Sequence, residues 1–221
     1  MEAFAELLDP YKETIGPTAS VVTILQFFSG MFICKDIYNK GSTKGFSSMP
    51  FVGGIVIGIL VLKFAILLND PNMFNVNVAA ILLNSLYLGF YLTYALDKYQ
   101  EVIVPALKGS ALIAILLTYV AYENPDLVEF RYSFIVTALM LLLMGSPLAE
   151  VKTIIAKEDA SMIPLPMTFM GFIVTILWLM YGIILKNNFM VIQNLLGTLL
   201  CFVQLILIAR YPGTDKKKKK Q

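Results

Sequence analysis

Two asparagines and a lone tryptophan are the side chains in this chain best suited to bind a neutral polar ligand. Asn77 and Asn194 lie 117 residues apart, each inside a long apolar segment. A carboxamide offers donors and an acceptor, which suits a hydroxyl group that needs both. Trp178 offers an aromatic face that packs against C–H groups. Taken alone, an asparagine of this kind favours a bond to a neighbouring helix, and a tryptophan suits a membrane interface.

The chain lacks the residues that most reactions need. It has no histidine, the commonest metal ligand and the usual proton shuttle. Cys34 and Cys201 both lie in apolar runs and are typical of small core residues. No Asp or Glu lies deep in an apolar segment, whereas proton-coupled carriers normally hold an ionisable group in the membrane. We therefore expect no enzyme activity, no cofactor or metal, and no proton coupling.

The composition indicates which environment holds these residues. Of 221 residues, 58% are hydrophobic and 14% are charged, with a mean hydropathy of +0.76. Soluble domains have about 45–50% apolar and about 25% charged residues, so a membrane protein surrounded by lipid is predicted. The net charge of +2 is too small for binding to a nucleic-acid backbone.

The apolar runs predict seven membrane-spanning helices, since a bilayer core needs about 20 residues per helix. The predicted spans are 17–37, 48–68, 74–96, 102–122, 130–150, 164–185 and 190–211. Thirteen of the 17 basic residues lie in the tail or the loops after the first, third and fifth spans, or in the ends of the spans next to them. Basic segments stay in the cytosol, so the N-terminus is expected to be extracellular or lumenal and the C-terminus cytosolic.

The tail from Lys216 to Lys220 fits three interpretations. It can be a plain cytosolic anchor, a site for anionic lipid head groups, or a dilysine retrieval signal. The third would place the protein in Golgi or early secretory membranes, and the first two also suit the plasma membrane.

An internal repeat becomes visible when the chain is shifted by 117 residues. Lys35 then falls on Lys152, and Asn77 falls on Asn194. Spans one to three therefore repeat as five to seven, and span four is a linker. The predicted segments are 1–96, 97–129, 130–211 and a basic tail at 212–221. Parallel repeats of this kind are typical of secondary transporters, and seven-helix receptors do not show them.

Several stretches carry a family resemblance. They are SGMFICKDIYNKGSTKGFSSMPFV in the first repeat, and GSPLAEVKTIIAKEDASMIP, ILWLMYG and VIQNLLG in the second. Together with the repeat, they resemble the animal-type members of the SWEET (MtN3/saliva) sugar transporters. The resemblance implies an all-α membrane fold of seven helices arranged 3+1+3. It also implies a homo-oligomeric, bidirectional uniporter for a mono- or disaccharide such as glucose, with alternating access around a central site.

The resemblance assigns roles to individual residues. Asn77 and Asn194 would bind the sugar, and Trp178 would stack on it, opposite its repeat partner Val61. Gln26 either lines the same pocket or bonds a neighbouring helix.

The resemblance also implies hinges and an outer gate. Three hinge prolines match, and a glycine takes the fourth position: Pro50, Pro147, Pro164 and Gly30. Proline in a helix removes a hydrogen bond and bends the axis, although Pro50 and Pro164 also suit helix starts. The gate would pair Phe64 with Asn187.

Two other functions remain open at this point. One is a PQ-loop amino-acid exporter, which is disfavoured because Pro166 is followed by Met167 instead of glutamine. The other is a membrane receptor or cargo-sorting protein that binds a ligand without moving it.

Overall fold

The structure, a computed structural model, describes residues 2–143, 145–161 and 163–212, without the side chains at 145–150. Its regular elements are helical. In chain order the α-helices are α1 (Glu2–Leu8), α2 (Lys12–Phe27), α3 (Gly30–Lys40), α4 (Met49–Leu67), α5 (Pro71–Tyr94), α6 (Val104–Tyr122), α7 (Pro125–Leu143), α8 (Gly145–Lys157), α9 (Leu165–Ile184) and α10 (Asn188–Arg210). A 3₁₀ turn (Asp9–Tyr11) precedes α2, and a π-helical turn (Tyr99–Ile103) precedes α6.

Six helical stretches among the described residues are long and apolar enough to cross a membrane, as expected of an integral membrane protein. They are Glu2–Lys40, Met49–Leu67, Pro71–Tyr94, Tyr99–Tyr122, Leu165–Ile184 and Asn188–Arg210. The predicted span at 130–150 falls on α7 and α8, on either side of residue 144, which lies outside the description.

The first predicted span, 17–37, lies within the helical stretch Glu2–Lys40, and the α-helical pattern is interrupted inside it. Helix α2 ends at Phe27, and α3 begins at Gly30. Across the break, the Ser29 N–H donates to the Gln26 carbonyl three residues earlier, at 3.0 Å. This tighter spacing is the 3₁₀ pattern. Hydropathy does not reveal it, because the residues on both sides are apolar.

The chain packs as two compact units. One contains residues 20–136, and the other contains the described residues of 1–19 and 137–221. The predicted segment boundaries after 96 and 129 remain a prediction from the sequence repeat.

In the unit of residues 20–136, α4 packs against α5 and α6. Glycine permits both contacts. A Cβ at Gly58 would lie 2.9 Å from Cγ1 of Ile81, and one at Gly109 would lie 2.5 Å from Cγ2 of Val56. The linker helix α6 therefore packs on α4, a helix of the first repeat.

In the other unit, α9 packs against α10, and α1 also contacts α9. A Cβ at Gly197 on α10 would lie 2.9 Å from Cγ2 of Thr175 on α9. Each unit thus holds one closely packed helix pair, α4 with α5 and α9 with α10.

The loops that join these helix pairs are duplicated in detail. Asn69 and Lys186, which are 117 residues apart, have φ angles of 53° and 52°. The residues after them, Asp70 and Asn187, each donate their N–H to a carbonyl five residues earlier, at 3.0 Å. Two loops of different sequence thus share one backbone geometry, which agrees with the predicted repeat.

Candidate functional site

Asn77 and Asn194 occupy equivalent positions with the same local geometry. Each is the seventh residue of its helix, α5 or α10, and each is half-buried. The Nδ2 of Asn77 donates to the Met73 carbonyl at 2.8 Å, and that of Asn194 donates to the Met190 carbonyl at 2.9 Å. No described residue donates a hydrogen bond to either Oδ1. Each carboxamide therefore keeps an acceptor and one N–H for a ligand.

The first turn of each helix is fixed by a capping side chain. Asp70 Oδ1 accepts from the Met73 N–H at 2.7 Å, and Asn187 Oδ1 accepts from the Met190 N–H at 3.0 Å. Such caps satisfy backbone groups that a helix start leaves unpaired. Asn187 was predicted only as a gate residue, and the structure gives it this capping contact. Its role in a gate stays a prediction.

Trp178 lies in a packed aromatic group in the unit of residues 1–19 and 137–221. It is 9% exposed, and its ring meets Tyr181 edge to face, with centroids 5.8 Å apart. Its repeat partner Val61 is half-buried. Phe64, the repeat partner of Tyr181, is 1% exposed. The Phe64 ring is thus fully packed in this conformation, and its gating role stays a prediction.

Gln26 lies in the last turn of α2 and is half-buried. Its side chain makes no hydrogen bond to the described residues, while its backbone carbonyl takes part in the break between α2 and α3. The interpretation as an interhelical bond therefore has no support here. A role in lining the pocket stays a prediction.

Gly30, at the start of α3, is in close contact with an aromatic ring. A Cβ at Gly30 would lie 2.5 Å from Cε2 of Tyr87, so the ring occupies the space that a proline would need. The equivalent pair is Pro147 and Gln204. Gln204 is 8% exposed, and the Pro147 side chain lies outside the described residues. The first repeat thus combines glycine with a large ring where the second combines proline with a smaller side chain.

The two other hinge candidates lie at helix starts. Pro50 is the second residue of α4, and Pro164 is the N-cap of α9, with φ −74° and ψ 108°. Proline at these positions removes no helical hydrogen bond. The structure therefore fits the helix-start interpretation, and hinge motion at these prolines stays a prediction.

A polar cluster around Glu101 was missed by sequence reasoning. Glu101 Oε2 accepts from the Thr43 and Tyr91 hydroxyls, both at 2.8 Å, and Oε1 accepts from the Asp97 N–H at 3.0 Å. The Ser48 hydroxyl donates to the Glu101 backbone carbonyl. These five residues, the Glu101 cluster, join the α3–α4 loop to the end of α5 and the π-helical turn.

The other unit has an apolar cluster at the equivalent place. Ala160 stands where the first repeat has Thr43, and Ile208 stands where it has Tyr91. Ala160 packs in one core with Ile154, Ile163 and Leu207. The signal for the Glu101 cluster was therefore a loss of polarity at positions 117 residues later.

A second charged contact joins the end of α6 to α7. Arg131 Nη1 lies 2.9 Å from Glu123 Oε2, and the Tyr119 hydroxyl donates to the same oxygen. The hydrogen bond from Tyr119, followed by that from Arg131, lowers the pKa of Glu123 to about 2.

Comparison with known proteins identifies relatives over nearly the whole chain. A family model described as a sugar efflux transporter for intercellular exchange matches residues 13–99 and again 130–216. The sugar transporter SWEET1 of Drosophila pseudoobscura pseudoobscura is 30% identical, covering 90% of this chain and 89% of that protein. SWEET1 of Caenorhabditis elegans is 28% identical, covering 96% and 70%. The bidirectional sugar transporter N3 of Medicago truncatula is 25% identical, covering 94% and 80%.

A solved structure of a eukaryotic SWEET transporter has the same fold. It matches with a TM-score of 0.83 at 20% identity, covering 93% of this chain and 98% of that one. The predicted all-α membrane fold, with two three-helix repeats joined by a linker helix, is therefore confirmed.

Proposed function

Because the chain belongs to the SWEET (MtN3/saliva) family of sugar transporters, we propose that it is a bidirectional uniporter for a mono- or disaccharide such as glucose. The family model matches both repeats, and the animal SWEET1 proteins are similar over most of the chain. The protein is a carrier and not an enzyme. No feature favours an amino-acid exporter or a receptor that does not transport.

The observation that carries the proposal is the matched geometry of Asn77 and Asn194. Each carboxamide gives one N–H to its own helix and keeps its oxygen and its other N–H. Sugar hydroxyls both donate and accept, so these groups complement them. Trp178 would stack on the C–H face of the sugar ring, and Gln26 and Val61 would complete the pocket lining.

Two features of the chain support uniport with alternating access. The sequence holds no Asp or Glu in the middle of a predicted span, so proton coupling lacks its usual group. Motion needs flexible points, for which we propose Gly30, Pro50, Pro147 and Pro164. Phe64 and Asn187 would close the outer side.

Orientation, location and assembly are also part of the proposal. The excess of basic residues after the first, third and fifth spans supports an outer N-terminus and a cytosolic C-terminus. We infer a homo-oligomer in the plasma membrane or in Golgi and early secretory membranes. The basic tail that bears on this choice, residues 213–221, lies outside the described residues.

Counterflow in proteoliposomes tests the proposal. Vesicles loaded with unlabelled glucose should take up labelled glucose transiently if the protein exchanges sugar across the membrane. Asn77→Ala and Asn194→Ala should each abolish this uptake at equal protein content. Asn75→Ala is a matched control, because Asn75 is exposed on the same helix. Binding without counterflow would indicate a receptor, and normal counterflow in either variant would remove that asparagine from the site.

A further inference from the structure

Helix α5 carries a further asparagine on the same face as Asn77. Asn84 lies seven residues later, about 10.5 Å along the helix, and two turns bring it back to nearly the same direction. Both are half-buried. The Asn84 Nδ2 donates to the Ala80 carbonyl at 2.8 Å, the same bond to the fourth preceding residue that Asn77 makes at 2.8 Å. The two carboxamides are therefore held alike.

Asn84 occupies a place where α4 comes very close. A Cβ at Gly54 of α4 would lie 2.6 Å from both Cγ and Oδ1 of Asn84. In the second repeat the glycine is retained as Gly171, whereas the asparagine is replaced by Cys201. A small, weakly polar side chain thus stands in the equivalent place in α10. Because the second repeat keeps the glycine without the asparagine, packing against Gly54 does not by itself explain why residue 84 is an asparagine.

The carboxamide of Asn84 has unused hydrogen-bonding capacity. Its one hydrogen bond within the described residues goes from Nδ2 to Ala80, which leaves Oδ1 and the second N–H. An amide in an apolar environment costs several kcal/mol unless it finds partners, on the order of 2–7. Asn84 lies near the middle of α5 (Pro71–Tyr94), far from both ends of the candidate span. A ligand with hydroxyl groups would supply those partners.

We propose that Asn84 is a second sugar-binding residue on α5, and that one pyranose ring bridges Asn77 and Asn84. Two opposite hydroxyls of the ring, each with a hydrogen bond of about 2.8 Å, make a span similar to the two helical turns between the residues. This inference rests on the proposed sugar transport.

The test compares glucose with its monodeoxy analogues as competitors of labelled glucose uptake in proteoliposomes. If Asn84 bonds one hydroxyl, the analogue lacking that hydroxyl should compete with glucose about 3- to 10-fold more weakly in the wild type. This factor is the loss of affinity expected from one missing hydrogen bond. Asn84→Ala should raise the KM for glucose by a similar factor. The Asn84→Ala protein should also bind that analogue and glucose with equal affinity, while it still binds the other analogues more weakly. A purely structural role of Asn84 would not produce this selective change.

Two further variants separate binding from packing. Asn84→Cys introduces the residue of the second repeat, fits beside Gly54, and should behave like Asn84→Ala. Ser85→Ala is the matched control, because Ser85 is an exposed neighbour on α5, and it should keep the wild-type selectivity. An unchanged pattern across the analogues in both Asn84 variants would overturn the inference while leaving sugar transport intact. A wild type that moves no sugar would instead overturn the proposed function.

Discussion

The contribution of Trp178 can be tested by itself, because the equivalent residue of the first repeat, Val61, is not aromatic. Trp178→Ala removes the ring that would stack on the sugar, and about 1 kcal/mol of aromatic contact corresponds to roughly a 5-fold rise in KM. Trp178→Phe keeps an aromatic face, so its KM should rise less than that of Trp178→Ala. The measurement is the KM for glucose uptake in proteoliposomes. An unchanged KM in Trp178→Ala would remove the stacking claim.

Gly30 leads to a prediction about paired residues. Gly30→Ala places a Cβ 2.5 Å from the Tyr87 ring, and overpacking of this kind costs about 1–3 kcal/mol of folding free energy. The melting temperature of the purified protein in detergent should therefore fall. Gly30→Ala combined with Tyr87→Gln, the residue at the equivalent position 204, should recover most of the loss. Equal melting temperatures for the single variant and the wild type would contradict the close contact.

Residues were predictable from the sequence where the repeat duplicates them. Asn77 and Asn194 stand out because the 117-residue shift aligns them. Asn84 and the Glu101 cluster were missed because the equivalents of Asn84, Thr43 and Tyr91 are Cys201, Ala160 and Ile208, so the comparison of repeats finds no matching polar pair at these positions. The contact of Gly30 with Tyr87 joins residues that are far apart in sequence, and no local pattern encodes such a contact.

The Glu101 cluster holds three elements together, and its removal should act on stability. Glu101→Ala leaves the hydroxyl of Thr43, a residue that is 2% exposed, without its acceptor, whereas the Tyr91 hydroxyl keeps the Phe46 carbonyl at 3.0 Å. An unpaired buried hydroxyl costs about 1–3 kcal/mol, so the melting temperature should fall. Glu101→Gln keeps an oxygen acceptor, so its melting temperature should fall less than that of Glu101→Ala. Glu6→Gln, an exposed acid on α1, is the control. A stable Glu101→Ala protein would mean that the cluster does not hold these elements.

The contact between α6 and α7 should tolerate acid. The pKa of Glu123, about 2, lies below the ordinary value of 4.5, so Glu123 contributes stability that is fully present above about pH 4.5 and is lost progressively as the pH falls from there to about 2. Between pH 7 and about pH 5 the melting temperature should not change through this group. Tyr119→Phe removes the largest cause of the lowered pKa, so the fall in melting temperature between about pH 4.5 and pH 2 should be smaller. Identical profiles for both proteins would contradict this assignment.

Helices were predicted well where apolar runs end in polar residues. The second span, predicted at 48–68, is Met49–Leu67, and the sixth, predicted at 164–185, is Leu165–Ile184. The break after Phe27 was not predicted, because it lies within an apolar run and depends on local backbone hydrogen bonds.

For the molecule as a whole, the internal repeat predicted the fold class. The family model begins at residue 13 and again at residue 130, which reproduces the shift of 117 found in the sequence. The sequence did not predict that the linker helix α6 packs on α4. The apolar residues of α6 do not define one face that would indicate which repeat it contacts. Which sugar is carried depends on pocket shape, which spacing along the chain does not encode.

Transport of sugar down its gradient is tested by net glucose uptake into proteoliposomes with and without an imposed proton gradient. Sucrose and an amino acid serve as comparison solutes. Glucose should reach the same final level in both conditions, equal to the outside concentration, and the amino acid should not enter. Accumulation above the outside level under the proton gradient, or no movement of glucose, would contradict transport of sugar down its gradient.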